Sequence, residues 1–284
     1  MGPDRTNHQV TAAQSPSAAS PPRASMSWRD WGRAIALAAG VALLVKSVVV
    51  GLYVTSSTSM MPTVQPGDLV LVNKLASRLS DIRSAAALWG GPFGRFAGIE
   101  RGDVVVFETH GIPAPHGSPL PRTLIKRCVA VPGDTVEYGQ GALRVNGREL
   151  SKAKGLDFGT TMTTGSIRFV VPGKGDLLEV GSSIAEPLQA ILSQEDQGGE
   201  ENAEGAGLPA GPATPRIRLR HDYYFLFGDN LAYSRDSRSW GPVSEANFVG
   251  RAVMIVWSWD AGDRSSGQEF PAATRWQRIG ALVR

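Results

Sequence analysis

The stretch "TLIKRCVAVPGDTVEYGQGALRVNGREL", residues 123–150, decides the fold class. It consists of short apolar or alternating runs, separated by a Pro-Gly turn, and includes the hairpin dipeptide Asn146-Gly147. Runs of this kind between tight turns are typical of antiparallel β-strands. Similar runs flank the stretch, at residues 67–74, 101–108, 167–172, 222–228 and 249–259. We therefore predict a mostly β domain, folded as a β-sandwich or barrel.

Composition divides the rest of the chain into segments. Residues 1–27 are rich in Ser, Ala and Pro, which is typical of a disordered tail. The β core is predicted to comprise residues 53–149 and 221–284. Residues 150–220 are predicted to form an inserted subdomain, in which the stretch 193–215 has the acidic, Gly-rich composition of a flexible loop.

Residues 28–52 are predicted to be a transmembrane anchor. From Ala34 to Val54 the only charged residue is Lys46, and at about 1.5 Å per residue a helix of this length crosses a hydrocarbon core of about 30 Å. Three arginines precede the run, at Arg23, Arg29 and Arg33. The positive-inside rule then leaves the tail in the cytoplasm. We expect a single-pass protein of the plasma (inner) membrane, with its β domain on the extracytoplasmic or periplasmic side.

Two features near this run leave alternatives open. The run at 28–52 has the alternatives of a cleavable signal peptide or a buried core helix, although a cleaved signal has a shorter apolar region of about 7–15 residues. Residues 77–99 form a loop with three large aromatic residues among glycines. That loop either contacts the membrane surface or packs on its own domain.

The overall composition excludes several classes of function. The formal net charge of the 284 residues is +3, with no concentrated block of Lys and Arg, so we expect no nucleic-acid partner. The single cysteine, Cys128, excludes an intramolecular disulfide and a Cys-based zinc site. The four histidines are scattered and none has metal-ligand spacing from another. We therefore expect no metal ion and no cofactor.

Ser59 and Lys126 are the residues that suggest chemistry. Strand alternation places Lys126 on one face with Leu124 and Cys128, among apolar neighbours. Burial lowers the pKa of a lysine, and a neutral lysine can accept the proton of a serine hydroxyl. Taken singly, however, a serine in a Ser-rich loop is an ordinary turn residue, a strand lysine points to solvent, and Cys128 is a small buried side chain.

Four stretches in a fixed order carry more information than either residue alone. They are "SSTSMMPTVQPGDLVLVNK" (56–74), "RGDVVVF" (101–107), "LIKRCVAVPGDTVE" (124–137) and "FLFGDNLAYSRDSRSWGPVSEANFVGRAV" (225–253). Together they resemble the conserved boxes of the type I signal peptidase family, the membrane-bound Ser/Lys endopeptidases that remove signal peptides from exported proteins. The tail, residues 77–99 and the insertion at 150–220 lie outside the resemblance.

The resemblance implies roles for individual residues. By position, Ser59 matches the nucleophile and Lys126 the general base. Ser57 is implied to help the Ser59 backbone amide form the oxyanion hole. Ser234 is implied to hydrogen-bond to the lysine and orient it.

The same resemblance implies two supporting ion pairs. Asp229 would pair with Arg127, and Asp236 with Arg238, so that the last box is held against the lysine strand. The chain departs from the family at Leu231, because an arginine commonly follows the Gly-Asp-Asn of the last box.

The function that follows is a membrane-bound serine endopeptidase that removes N-terminal signal peptides from secretory preproteins. The family implies small residues before the cut, and we expect the enzyme to contact membrane lipid and to act as a monomer. Two alternatives stay open: a dedicated maturation peptidase of a pilus, conjugation or other specialised secretion system, and an inactive membrane-anchored binding protein. A self-cleaving repressor also uses Ser and Lys, but it would need a DNA-binding helix pair in place of the apolar run.

Overall fold

The computed structural model describes eight stretches of the chain, residues 27–78, 98–114, 119–139, 142–150, 167–179, 186–195, 216–260 and 273–284. Three features discussed above lie wholly or mostly outside these stretches: the N-terminal tail, the loop at 77–99 and the acidic loop at 193–215.

The first helix, α1, spans Trp28–Val48. Ser27 starts it by a reciprocal cap, because Ser27 Oγ accepts from the Asp30 amide at 3.3 Å and the Ser27 amide donates to the Asp30 carboxylate at 3.2 Å. The helix ends before the predicted end of the anchor at residue 52, since residues from Val50 onward form a strand, as their β-branched composition favours. Among the helices that the structure describes, α1 included, none combines the length and hydropathy of a membrane-crossing segment.

The largest element is a seven-stranded sheet in which all neighbouring strands are antiparallel. In spatial order its strands are β1 Val50–Val54, β2 Asp68–Asn73, β13 Phe248–Ser258, β3 Val104–Glu108, β4 Thr123–Ala130, β11 Tyr223–Phe227 and β12 Val243–Ser244. Burial alternates along β2 and along the second half of β4, as expected for strands with one face in a core. The predicted mostly β domain is confirmed.

A second, four-stranded sheet contains the hairpin predicted at Asn146-Gly147. Its strands, in spatial order, are β7 Arg148–Glu149, β6 Ala142–Val145, β5 Thr135–Gly139 and β8 Ile167–Val170. Asn146 and Gly147 have φ angles of 51° and 75°, the left-handed backbone that a two-residue hairpin turn requires. Because β8 pairs with β5, the boundary proposed at residue 150 falls inside this sheet.

The remaining elements are small. Strands β9 Leu177–Glu179 and β10 Arg216–Arg218 pair with each other. Three further helices are α2 Leu75–Arg78, α3 Glu186–Glu195 and α4 Ser237–Trp240. Helix α3 is fixed to the seven-stranded sheet by Gln194, whose side-chain amide bonds the Pro242 carbonyl and the Ser244 amide, both at 2.9 Å.

Candidate active site

Ser59 lies in a closed loop between β1 and β2, here called the Ser59 loop (residues 55–68). The two ends of this loop are joined because the Thr55 amide donates to the Asp68 carbonyl at 2.9 Å and the Gly67 amide donates to the Thr55 carbonyl at 2.8 Å. Met60 and Val64 anchor its middle in the apolar core beneath β2, β3 and β13. Ser59 itself is only 5% exposed. The loop therefore presents its serine from a rigid, packed base.

The structure brings Ser59 and Lys126 into direct contact. Lys126 Nζ lies 2.6 Å from Ser59 Oγ, across 67 positions of sequence. Lys126 extends from β4, which lies between β3 and β11, and it is 1% exposed. A buried amine needs a hydrogen-bond partner, and the serine hydroxyl provides one.

Burial lowers the pKa of Lys126 to about 8. The cause is the loss of hydration of the charged form, which outweighs the opposing attraction of the Asp236 and Asp229 carboxylates; the Arg238 guanidinium lowers the pKa further. A substantial fraction of Lys126 is therefore neutral near pH 8. A neutral amine 2.6 Å from a hydroxyl has the geometry of a general base.

Ser57 contacts the backbone of Ser59. The Ser59 amide donates to Ser57 Oγ at 3.2 Å. The two groups that the resemblance implies for the oxyanion hole are therefore neighbours. Ser57 is exposed whereas Ser59 is buried. The exposed Ser57 hydroxyl thus lies next to the backbone of the buried Ser59.

The segment after β11 holds the other side of the Ser59 loop. The Asn230 amide donates to the Ser59 carbonyl at 3.0 Å, and Asn230 Nδ2 donates to the Thr58 carbonyl at 3.2 Å. Gly228 is required here because a Cβ at this position would lie 2.5 Å from the Ser59 carbonyl oxygen. Sequence reasoning did not assign a role to Gly228 or Asn230, although both stand in the Gly-Asp-Asn of the last box.

Ser234 lies close to Gly228 but does not reach Lys126. Its Oγ would be 2.1 Å from an added Cβ of Gly228, and it donates a long hydrogen bond of 3.5 Å to the Arg235 carbonyl. Within the described residues, the hydrogen bond of Lys126 Nζ goes to Ser59 and not to Ser234. The structure thus brings Ser234 to the edge of the site without the contact that the resemblance implies.

Arg127 and Asp229 form a two-pronged ion pair. Arg127 Nε and Nη2 lie 2.7 and 2.6 Å from the two carboxylate oxygens of Asp229. The same carboxylate accepts from Thr63 Oγ1 at 2.5 Å. The strand that carries Lys126, the segment after β11 and the Ser59 loop are therefore joined at Asp229.

Asp236 and Arg238 form a second pair, beside the lysine. Arg238 Nε and Nη2 lie 2.7 and 2.9 Å from Asp236. The Asp236 side chain is fully buried, and it also caps α4 and accepts from the Gly228 amide at 3.2 Å. Because Asp236 is fixed on several sides, it sets the path of the chain from Gly228 to α4.

Leu231 has a structural explanation at the position where the family commonly has arginine. Its side chain packs against the apolar cluster formed by β5, β6, β8 and β11. Its carbonyl accepts from Arg238 Nη2 at 2.8 Å. Leu231 therefore contacts the site through its backbone carbonyl, and this contact does not require a particular side chain.

A cavity of about 120 Å³ opens beside Ser59. Its walls are the end of β1, the Ser59 loop and the start of β4, with Tyr53, Thr55, Met60, Val64, Leu124 and Ile125 among the lining residues. The lining is mostly apolar, and it includes Ser59. The cavity suits an apolar side chain placed next to the serine hydroxyl.

Other nucleophile or metal chemistry finds little support in the described part of the chain. No group of three or more His, Cys, Asp or Glu side chains there is arranged to hold a metal ion. Cys128 is fully buried, and burial raises the pKa of its thiol. A buried thiol with a raised pKa is a poor nucleophile.

Comparisons with known proteins show which family this chain is similar to. A family model described as "Signal peptidase, peptidase S26" matches residues 28–257. The chain is 30% identical to signal peptidase I of Pseudomonas aeruginosa over 244 residues, covering 81% of this chain and 72% of that protein. It is 27% identical to signal peptidase I V of Bacillus subtilis over 225 residues, covering 79% of this chain and 96% of that protein. A solved signal peptidase I from Enterococcus faecalis aligns with 54% of this chain and 95% of its own, at 23% identity and a TM-score of 0.25.

Proposed function

This chain belongs to the signal peptidase family, peptidase S26, and from that premise we propose that Ser59 is its nucleophile and Lys126 its general base. The enzyme is a serine endopeptidase that removes signal peptides from preproteins, as the match to several signal peptidases I over most of the chain indicates. The observation that carries the assignment of the two residues is the 2.6 Å contact between Ser59 Oγ and a fully buried lysine amine.

The proposed reaction has two halves. In the first, neutral Lys126 takes the proton of Ser59 Oγ as that oxygen attacks the scissile carbonyl, and the resulting ammonium gives the proton to the departing amine. An ester between Ser59 and the signal peptide remains. In the second half, Lys126 takes a proton from water, the hydroxide attacks the ester, and the proton returns to Ser59 Oγ. The cycle uses the same side chains twice and consumes only water.

We assign the oxyanion hole to the Ser59 amide and the Ser57 hydroxyl. In the structure these groups bond to each other at 3.2 Å, and both can instead donate to the oxygen that becomes negative during attack. One such donor contributes about 3–4 kcal/mol in the transition state. Ser234 is kept as the proposed lysine-orienting residue, a role that needs its hydroxyl to turn from the Arg235 carbonyl towards Lys126.

The two ion pairs act as supports rather than as reagents. The pair of Arg127 with Asp229 joins the chain after β11 to β4, and the pair of Arg238 with Asp236 lies within the chain after β11 and fixes its path. In this way they set the distance between the lysine and the serine, on which proton transfer depends.

We assign the cavity beside Ser59 to the small residue that precedes the cut. Its apolar walls accept an apolar side chain such as that of alanine, and the preference for small residues at this place is what the family implies. A preprotein with an Ala-x-Ala cleavage site is therefore the proposed substrate.

We also propose that the enzyme, a monomer, is attached to the plasma membrane and works on its outer side. The support is the run from Ala34 to Val54, in which Lys46 is the only charged residue, and an exposed apolar face formed by β1, β2 and β13. Five large side chains of this face and its margin are exposed, Leu52, Val54, Trp257, Trp276 and Leu282. Exposed Trp and aliphatic residues in one patch are typical of surfaces that meet lipid. Extraction of membranes with alkaline carbonate tests this, since an inserted protein stays with the lipid.

The function is tested by cleavage of a preprotein with an Ala-x-Ala site, comparing the wild type with Ser59→Ala and Lys126→Ala. We expect cut product from the wild type and none from either variant. A wild-type protein that cuts no general preprotein would favour a dedicated maturation peptidase. Near-normal activity of Lys126→Ala would show that the base is another group.

A further inference from the structure

The segment formed by residues 273–284, here called the C-terminal segment, contacts the Ser59 loop. It pairs with β13 through the Met254–Leu282 bridge and the hydrogen bond from the Val283 amide to the Val253 carbonyl at 2.9 Å. From this position two arginines, three residues apart, turn towards the Ser59 loop. None of the four boxes that resemble the signal peptidase family contains these arginines.

Arg278 is bound to the Ser59 loop at two points. Its Nη2 donates to the Asp68 carboxylate at 2.6 Å and to the Thr63 carbonyl at 2.9 Å, and its Nε lies 3.1 Å from the other Asp68 oxygen. A planar guanidinium can satisfy a carboxylate and a carbonyl at once, which a lysine cannot do with the same geometry. Arg278 therefore fixes the position of Thr63 relative to the end of the Ser59 loop.

Asp68 is a rigid partner for that arginine. It is fully buried and accepts from the Gln65 amide at 2.8 Å and from Ser258 Oγ at 2.7 Å. Burial alone would raise the pKa of this carboxyl, but the hydrogen bonds from Arg278 and Ser258 lower it below its usual value. The carboxylate is thus charged, and it gives Arg278 a fixed partner at the start of β2.

Arg275 binds the same part of the loop. Its Nη1 donates to Gln65 Oε1 at 2.8 Å, its Nη2 donates to the Pro66 carbonyl, and its Nε donates to Ser258 Oγ at 2.9 Å. The backbone has little room to move here, because a Cβ on Gly67 would lie 2.1 Å from the Trp259 carbonyl. The return half of the Ser59 loop is therefore held on its outer side by the C-terminal segment.

Thr63 connects this contact to the chemistry. Its carbonyl accepts from Arg278, while its hydroxyl donates to Asp229 at 2.5 Å. Asp229 in turn is paired with Arg127, the neighbour of Lys126 on β4. A continuous set of charged and polar contacts thus runs from the C-terminal segment through Thr63 to the strand of the proposed base.

We propose that Arg278, supported by Arg275, is a positioning residue that holds Ser59 at attack distance from its substrate and from Lys126. This role rests on the proposed function, because it concerns the same serine and the same reaction. Arg278 touches neither the reacting atoms nor the cavity. Its effect passes through Thr63 and Asp68, and a displacement of the serine by about 1 Å lowers the rate by about 100-fold.

The chain provides a matched control in Arg101. Its guanidinium also makes two hydrogen bonds, both of 2.7 Å, to a buried carboxylate, that of Asp134. Asp134 also accepts a backbone amide, that of Val131, at 2.9 Å. In the described part of the chain, the hydrogen bonds of the Arg101 side chain go to Asp134 and none reaches the Ser59 loop. Both pairs join a guanidinium to a buried carboxylate, although the Arg101 side chain is more exposed than that of Arg278, 54% against 20%.

The experiment measures kcat and KM for one Ala-x-Ala preprotein with the full-length wild type, Arg278→Gln and Arg101→Gln, at a temperature where all are folded. We expect kcat of Arg278→Gln to fall by about 10 to 100-fold with KM nearly unchanged, and kcat of Arg101→Gln to stay within about twofold. The acid limb of the pH profile should keep its midpoint in Arg278→Gln, since Lys126 is not altered. Arg278→Lys should recover part of the loss, because it keeps the charge opposite Asp68.

Four outcomes would overturn the proposal. A wild-type kcat in Arg278→Gln would remove the positioning role, and an equal loss in Arg101→Gln would show that any such pair has the same effect. A shifted acid limb would place the effect on Lys126 instead of the Ser59 loop. A wild type that cleaves no preprotein would overturn the proposed function, and this inference with it. If Arg278→Gln does not fold, Arg278→Lys takes its place, with the same criterion of reduced kcat at constant KM.

Discussion

The two larger sheets of this protein differ in what they bury. The buried side chains within the strands of the four-stranded sheet are apolar or aromatic: Val136, Tyr138, Leu143, Val145 and Phe169. The strands of the seven-stranded sheet bury charged and polar groups, among them Asp68, Lys126 and Ser258, and its loops bury Ser59 and Asp236. Burying such groups costs free energy unless each finds a partner. The comparison indicates that the seven-stranded sheet carries the catalytic groups, whereas the four-stranded sheet contributes to stability.

The largest effect is expected from Lys126→Met, which removes the buried amine and keeps a side chain of similar length. We expect peptidase activity to fall by at least about 1,000-fold, because the serine loses its base. The free energy of unfolding at pH 7 should stay equal or rise, since a buried amine is replaced by an apolar group. Activity assays and thermal unfolding of both proteins check the two parts. A variant that is inactive and also much less stable would contradict the separation of chemistry from stability.

The same pair of proteins gives a stability signature in pH. The pKa of Lys126 is about 8 in the folded protein against 10.5 for a free lysine. Between these values the unfolded chain binds more protons than the folded one, so the stability of the wild type rises with pH relative to Lys126→Met. Denaturant unfolding at several pH values from 7 to 11 measures the difference, and a difference that stays constant would show that Lys126 is not desolvated.

A second large effect is expected from Gly228→Ala. The added Cβ would lie 2.5 Å from the Ser59 carbonyl and 2.1 Å from Ser234 Oγ, so the Ser59 loop must move away. We expect activity to fall by about 100-fold through displacement of the serine. Gly147→Ala is the control in the four-stranded sheet: its φ of 75° is unfavourable for alanine, but no atom lies within 4 Å of the added Cβ. That variant should lose about 1 kcal/mol of stability and no activity.

The contrast between the sheets also explains how much was predictable from the sequence. Strands such as β4 and the turn at Asn146-Gly147 follow from local patterns, and the contact of Ser59 with Lys126 follows from the resemblance. Arg275 and Arg278 were not identified, because their partners in the Ser59 loop are more than 200 positions away and only tertiary structure brings them together. The pairing of β8 with β5 was not predicted either, because the two strands lie on opposite sides of the boundary that composition suggests at residue 150. The Arg-x-x-Arg spacing after β13 was the only available signal.

A moderate effect is expected on the pH dependence of activity. Peptidase activity should rise with pH along an acid limb with a midpoint of about 8, as Lys126 becomes neutral. The negative charge of Asp236 raises the pKa of Lys126, so Asp236→Asn should move this limb to lower pH, although the loss of a buried partner for Arg238 also lowers the maximal rate. Rates measured from pH 6 to 10 in both proteins check the shift. Movement of the limb to higher pH would show that Asp236 does not act on the lysine through its charge.

The smallest effect on activity is expected from Phe169→Ala, which removes a large side chain from the packing of the four-stranded sheet. Phe169 is buried, with its ring 5.4 Å from that of Phe225 and 6.5 Å from that of Tyr138. Phe169→Ala should therefore reduce the free energy of unfolding by about 3–5 kcal/mol.

Because Phe225 lies on β11, which leads to Gly228, this variant also tests directly whether the two sheets are coupled. For the folded molecules, we expect kcat within about twofold of the wild type, since the hydrogen bonds that hold Asp229 and Asp236 do not involve Phe169. A kcat that falls in step with stability would show that the four-stranded sheet also positions the Ser59 loop.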